Sequence, residues 1–342
     1  MTSVHSSRDL VHDRIHRDDF QDEAPACRCC GYPFDVGDTV LIDNNNAFFY
    51  CSASCAAEFE PQESSADNIF ETARKLGLTI TYERERYWVP MPDGSRYGIR
   101  TLLTRDTASP KLAKSIGAVD TEIRGRILYL APARSAGVGN ICPHHGACVK
   151  DCLGPHSGRG RMHKTQWARI ARTRFLAADR TAFCGQLLSE LSTFERLCTN
   201  VGAMAAIRPD GTSDLDWMSI CPEMFTHNLP RACDWIVYGY TKDPEKYWHA
   251  RVSVDLDWYL TFSRDVHNDT AAHDIVANNG NAAIVVRSKD MLRQLLKTGY
   301  RGYPCIDGDI HDWRFLDAPG HYVVLSAKGT AKQSTTGFVL DV

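Results

Sequence analysis

The sequence predicts an α/β fold: a complete or partial (β/α) barrel over residues 126–342, with a small zinc-binding module near the amino end. Three observations carry this expectation. Six apolar, β-branched or aromatic runs alternate with helix-like stretches, the pattern of βαβ units around a parallel sheet. No G-x-G-x-x-G follows the first run and no G-x-x-x-x-G-K-[ST] occurs, so an open nucleotide-binding sheet, ATP hydrolysis and ordinary hydride transfer lose support. Two close-spaced cysteine pairs precede the alternating region.

Taken in order, residues 1–24 are polar, rich in His, Arg and Asp, and read as a disordered tail without enough apolar surface to order itself. Residues 25–60 form the cysteine module, in which the runs DTVLI and AFFY read as strands around the turn Asp43-Asn44-Asn45-Asn46. Residues 61–125 read as a connector: a helix near Asn68 to Leu76, then a hairpin of TITYERERYWV and YGIRTLL about Pro92-Asp93-Gly94. The barrel strands are expected at 126–130, 204–207, 235–238, 258–262, 283–286 and 322–325. The clearest helices are Thr165 to Leu176, Thr181 to Leu197, Thr270 to Ala277 and Asp290 to Leu296.

The chain has 342 residues, 43% of them hydrophobic and 24% charged, with a formal net charge of −3. That balance gives no global drive toward nucleic acid or membrane, so such binding needs a local patch. No run nears the roughly 20 apolar residues of a spanning helix, and the first twenty residues lack the apolar core of a signal peptide. The expectation is a soluble, cytoplasmic protein with no membrane partner. In a reducing compartment, 13 cysteines point to metal or redox chemistry.

Cys27-x2-Cys30 and Cys51-x3-Cys55 supply four sulfurs for a tetrahedral Zn²⁺, whose binding can fold a module with little core. With Phe49-Tyr50-Cys51-Ser52, Cys55 and Phe59, the segment resembles treble-clef zinc modules of the TRASH or MYM type. That resemblance implies a structural site that docks a protein partner or recognises a ligand.

After the first barrel strand, Cys142, Cys148 and Cys152 lie on one loop, where a barrel places its chemistry. Three thiolates suit the open iron of a [4Fe–4S] cluster. They also suit a second Zn²⁺ completed by His144, His145 or His156, and plain reduced thiols are the third reading. The placement resembles radical S-adenosylmethionine enzymes, although these space their cysteines x3 then x2 and this chain has x5 then x3. The resemblance implies a [4Fe–4S] cluster with S-adenosylmethionine, and Thr212, Ser213 and Asp214 after strand two as contacts to that cofactor. The bland reading of those three residues is a helix cap. Cys184, Cys198, Cys221 and Cys233 have no ligand-like spacing and read as small core residues.

Asp307, Asp309 and His311 crowd ionisable groups behind a short apolar run, a density that suggests a site, with an exposed Asp/Gly turn as the alternative. Asp307 and Asp309 share one face of an extended chain, and His311 is a candidate proton carrier. Between His156 and Arg180, seven Lys/Arg stand against one acid. Arg159, Arg161, Lys164, Arg169 and Arg172 are therefore candidate nucleic-acid contacts, against the alternative of a solvated helix face.

Pro110-Lys111-Leu112-Ala113-Lys114-Ser115, the Cys142 loop, Ser157-Gly158-Arg159-Gly160, Tyr240-Thr241-Lys242, Thr261-Phe262-Ser263, Asp307-Gly308-Asp309-Ile310-His311-Asp312 and Ala327-Lys328-Gly329 together resemble the phage gene-product-88-like family. The resemblance implies a viral or mobile-element origin, hence the cytoplasm of a host, and makes DNA, other nucleic acid or a nucleobase the first candidate substrate. The expected function is a metalloenzyme of DNA modification, with Asp307, Asp309, His311 and Asp214 handling substrate and cofactor. One rival is transglycosylase-type insertion of a 7-deazaguanine by an Asp nucleophile such as Asp307 or Asp214, with zinc in the second cysteine loop. Another is a non-enzymatic nucleic-acid-binding protein.

Overall fold

The computed structural model describes residues 10–14, 39–43, 48–50, 65–119, 122–156, 158–225, 233–253 and 257–341. The chain divides into two compact units, Met1–Gln62 and Glu63–Val342.

In the first unit, β1 (Leu10–Arg14), β2 (Thr39–Asp43) and β3 (Phe48–Tyr50) form an antiparallel sheet with Leu10 opposite Asp43 and Leu41 opposite Tyr50. The runs DTVLI and AFFY are strands as expected. β1 lies inside the stretch read as a disordered tail; a strand can order itself through backbone pairing without an apolar core of its own. Cys27, Cys30, Cys51 and Cys55 lie outside the described residues.

The second unit opens with α1 (Ser65–Lys75) and a three-stranded meander of β4 (Thr81–Glu83), β5 (Arg86–Pro90) and β6 (Arg96–Ile99). The run TITYERERYWV is thus two strands. It folds back at Arg84 and Glu85, with φ of 52° and 59°, a left-handed turn that Asn-Gly would have signalled and Arg-Glu does not. The second turn is the expected one: Gly94 takes φ of 82° and Asp93 Oδ1 accepts from Ser95 N at 3.0 Å.

The remainder builds a nine-stranded sheet, eight of whose strands form one path. Its members are β7 (Leu103–Arg105), β8 (Ile123–Leu128), β9 (Met204–Arg208), β10 (Trp235–Thr241), β11 (Trp258–Ser263), β12 (Ala282–Val286), β13 (Cys305–Asp307), β14 (Tyr322–Ser326) and β15 (Val339–Leu340). The order along the path is β13-β14-β12-β11-β10-β9-β8-β7. Only β7 runs antiparallel to its neighbour. β11 pairs with β12 at Ala282 and Ala283, and β15 pairs with β12 further on at Val285 and Val286. The path of paired strands is open, so the expected barrel is here a parallel sheet whose closure is not shown.

Between the strands lie α2 (Pro110–Ser115), α3 (Leu153–His156), α4 (His163–Ala178), α5 (Arg180–Val201), α6 (Trp217–Ile220), α7 (Pro244–Val252), α8 (Asp269–Ala277) and α9 (Lys289–Thr298). Asp179 separates α4 from α5 because its carboxylate caps the second helix, accepting from Ala182 N at 2.9 Å. Gly202, left-handed at φ 65°, ends it.

From β8 to β12 the strands sit in chain order, so right-handed crossovers keep the connecting helices on one face. Phe175, Phe183, Leu187, Phe194 and Ile275 pack there against Val237, Phe262 and Ile284. Alternate residues point to the other, inner face, where Ile127, Ala206 and Tyr238 meet Leu112 of α2 and Trp313. Gly125 is required on that face: a Cβ there would stand 2.7 Å from Trp313 and 2.9 Å from Leu112. Among the described residues no helix is long and apolar enough to cross a membrane.

Candidate active site at the carboxyl ends of the strands

The three-cysteine loop leaves the end of β8 and is tied down by residues that follow other strands. Cys142 Sγ accepts from Ala133 N at 3.4 Å and donates to Thr212 O, after β9, at 3.8 Å. Cys148 N donates to Asp265 Oδ2, after β11, at 3.1 Å. Asp151 accepts from Thr336 Oγ1 at 2.8 Å. Gly146 lies flush against this end of the sheet, since a Cβ would fall 2.3 Å from His267 Nδ1.

Burial pushes all three thiols up, Cys148 to about 11, so each is protonated at neutral pH. Among the described residues no three His, Cys, Asp or Glu side chains form a group able to hold a metal ion. As arranged, Cys142, Cys148 and Cys152 therefore do not make a donor set for a cluster or a zinc.

What the loop does border is a buried ion network. Lys246 of α7 reaches Asp210 Oδ2 and Asp214 Oδ1, both at 3.0 Å, and Leu215 O at 2.7 Å. Asp210 Oδ1 also accepts from Ser213 Oγ at 2.6 Å and Trp217 Nε1 at 3.0 Å. Asp214 takes Thr241 Oγ1 at 2.9 Å and Lys242 N at 2.8 Å. Burial raises the Asp214 carboxyl, but the Lys246 charge and these hydrogen bonds outweigh it and hold the group ionised. Lys242 Nζ sits 3.2 Å from Ser263 Oγ and 3.4 Å from Asp265 Oδ2. His144 Nε2 lies 3.4 Å from Asp243 Oδ2.

The structure brings the Thr212–Asp214 segment to the Cys142 loop, with the side chains of Thr212, Ser213 and Asp214 engaged inside the protein. Thr212 Oγ1 donates to Leu130 O at 2.5 Å. The helix cap lies two residues on, where Asp216 Oδ1 accepts from Met218 N at 3.1 Å.

Asp307 ends β13, and Asp309 and His311 follow it at the same end of the sheet. Asp309 accepts from Lys328 Nζ at 2.8 Å and Ser326 N at 3.2 Å, which ties the turn to β14. Asp307 Oδ1 accepts from Asp309 N at 2.8 Å. His311 Nδ1 is 3.0 Å from Arg314 Nη2, and because arginine only donates, the ring proton belongs on Nε2. Burial and the Arg314 charge lower the His311 pKa. The expected proton carrier is therefore a neutral ring that presents an N–H.

Asp312, one residue further, is the group that sequence reasoning passed over. Fully buried on the inner face, it lies 3.0 Å from Arg208 Nη1, 2.5 Å from Lys111 Nζ and 3.2 Å from Tyr238 Oη. Arg208 stacks 4.8 Å from the centre of the Tyr240 ring. Lys246, Asp210 and Asp265 were missed as well. Lys246 reads as a solvated helix lysine in PEKYW, and only the fold brings it to two carboxylates.

Of the candidate nucleic-acid contacts, two turn inward. Arg169 donates to Gly154 O at 2.7 Å and lies over the Tyr129 ring, while Arg172 lies 3.4 Å from Thr101 O. Arg159, Arg161 and Lys164 are exposed, with Arg159 donating to Ala108 O at 2.8 Å.

Fold and site together define an α/β protein whose ionisable groups and thiols collect where parallel strands end, the edge at which such sheets bind ligands. A family model described as Gene product 88 matches residues 100–341, and the chain belongs to that family. The match begins just before β7 and leaves the first unit outside it. No curated protein and no solved structure matches the chain.

Proposed function

We propose that the protein is a phage-type enzyme that modifies nucleic acid or a nucleobase at the carboxyl ends of its parallel strands. The observation that carries this reading is the gathering there of the cysteine loop with Asp210, Asp214, Asp265, Lys242 and Lys246. Burying paired charges is costly and a weak source of stability, so a dense network at a ligand-binding edge supports a chemical role. In this reading Asp214 and Lys246 position one another and the loop. Asp307 has no partner for Oδ2 among the described residues and is the carboxylate placed to accept a proton or attack. Asp214 suits attack poorly, because its oxygens already accept from Thr241 Oγ1, Lys242 N and Lys246 Nζ. The exposed Arg159, Arg161 and Lys164 supply charge for a phosphate backbone.

The metal-dependent form, with iron–sulfur and S-adenosylmethionine or zinc at Cys142, Cys148 and Cys152, requires the thiols to regroup and is tested by composition. Iron or zinc in anaerobically purified protein beyond the one zinc proposed for Cys27, Cys30, Cys51 and Cys55 supports that form, and none beyond it leaves the reaction to the carboxylates. Activity is tested by digesting DNA and RNA from cells making the chain and weighing the nucleosides. The expected result is a new nucleoside that disappears with Asp307→Asn. No altered nucleoside or free base in cells making the unsubstituted chain overturns the reading.

A further inference from the structure

Cys184 and Cys221, unassigned by the proposed site, stand against one another. Cys184 lies in the second turn of α5, and its Sγ is 3.3 Å from Ile220 O, the carbonyl that precedes Cys221. Cys184 Sγ and Arg180 Nε meet at this one carbonyl oxygen on the residue before Cys221, and the two thiols influence each other's charge. One turn earlier, Arg180 is pinned to the same segment by bonds to Ile220 O at 2.9 Å and Ser219 O at 2.6 Å, which hold its guanidinium beside Cys184. Cys221 is fully buried, whereas Cys184 is partly exposed.

We propose that Cys184 and Cys221 are a redox-active dithiol, with Cys184 the thiol that meets the oxidant and Cys221 the one that resolves it into a disulfide. The chemistry of the other cysteines agrees. Burial pushes Cys198 up to about 12 and Cys305 to about 11, and it raises Cys142, Cys148, Cys152 and Cys233. Cys184 alone among the described cysteines moves down, through the neighbouring Cys221 thiol and the Arg180 charge. Its neighbour moves the other way, raised by the Cys184 thiol, by burial and by Glu223. A partly exposed thiol held beside an arginine and next to a buried second thiol is the arrangement thiol oxidation needs.

With a hydroperoxide as oxidant, the Cys184 thiolate attacks the outer oxygen. The S–O bond forms, the O–O bond breaks, and the alkoxide or hydroxide leaves and takes up a proton. Cys221 sulfur then attacks the sulfenic acid; the S–S bond forms, the S–O bond breaks, and water leaves with the Cys221 proton. Two thiols lose two electrons and two protons, and the peroxide is reduced. The disulfide joins α5 to the turn behind α6, whose Trp217 holds Asp210 at 3.0 Å, so oxidation fastens the backbone that carries the site carboxylates.

The test uses the full chain, reduced and then given one equivalent of hydrogen peroxide, capped with N-ethylmaleimide, digested and weighed. The expected product is a Cys184–Cys221 linked peptide pair that dithiothreitol separates. Cys221→Ser in the presence of dimedone is expected to carry the adduct on Cys184, and Arg180→Gln to slow oxidation several-fold. Maleimide on both Cys184 and Cys221 after peroxide, or Cys184 joined mainly to another cysteine, overturns the proposal. Neither readout depends on the proposed enzyme activity.

Discussion

Asp312 is held by charge on a face that is otherwise apolar and aromatic. Burial raises its carboxyl, but Arg208 and Lys111 more than reverse this and bring it to about 2. The pH dependence follows. The unfolded chain binds the proton below about pH 4 and the folded chain only near 2, so the Asp312 contribution is complete above pH 4 and is lost as pH falls from about 4 to 2. Asp312→Asn strands a buried Arg208 and is expected to cost about 3–5 kcal/mol in urea unfolding at pH 7. The gap between the two proteins should narrow, by about 2 kcal/mol, as the titration passes from pH 4 to pH 2. At the surface, Arg161→Ala with Lys164→Ala is expected to weaken nucleic-acid binding across sequences and reduce the salt slope by roughly 2. Single residues were the least legible scale. Asp307, Asp309 and His311 drew attention through local crowding, while Asp312 beside them gains its meaning from Arg208, 104 residues earlier. No local pattern carries such a pairing.

Elements were far more legible, because periodicity is a local property. The runs at 204–207, 235–238, 258–262 and 322–325 are β9, β10, β11 and β14 to within a few residues. Failures came where the deciding contact is tertiary or the turn chemistry unusual, as at Arg84-Glu85 and at β1. The basic segment is a case of the first kind: it is one helix and its approach, but α4 points Arg169 and Arg174 at backbone carbonyls, Arg174 Nε reaching Pro90 O at 2.6 Å. Gly160 tests how the cysteine loop depends on this packing. A Cβ there would lie 1.8 Å from Gly154 O, the acceptor of Arg169. Gly160→Ala is expected to speed hydrogen exchange across residues 142–161 and leave β9 to β12 protected. Gly125→Ala overpacks the inner face and is expected to cost about 1–3 kcal/mol, read from the urea midpoint.

At the scale of the whole molecule, the division at Gln62 means that residues 63–342 are expected to fold alone. The check is a single cooperative melt of that segment and the loss of one bound zinc relative to the full chain. The family match over residues 100–341 falls inside this unit, and so does the whole of the proposed site. Strand order has a consequence for how such a chain is made. Each of β9 to β12 pairs with the strand synthesised just before it, so every addition closes one βαβ unit, and the sheet can extend in step with translation. Arg208 then waits on an unfinished face for its counterion. The late arrival of Asp312 turns an open face into a locked interior, and until that moment the nascent protein carries Arg208 without the counterion that it has in the finished fold.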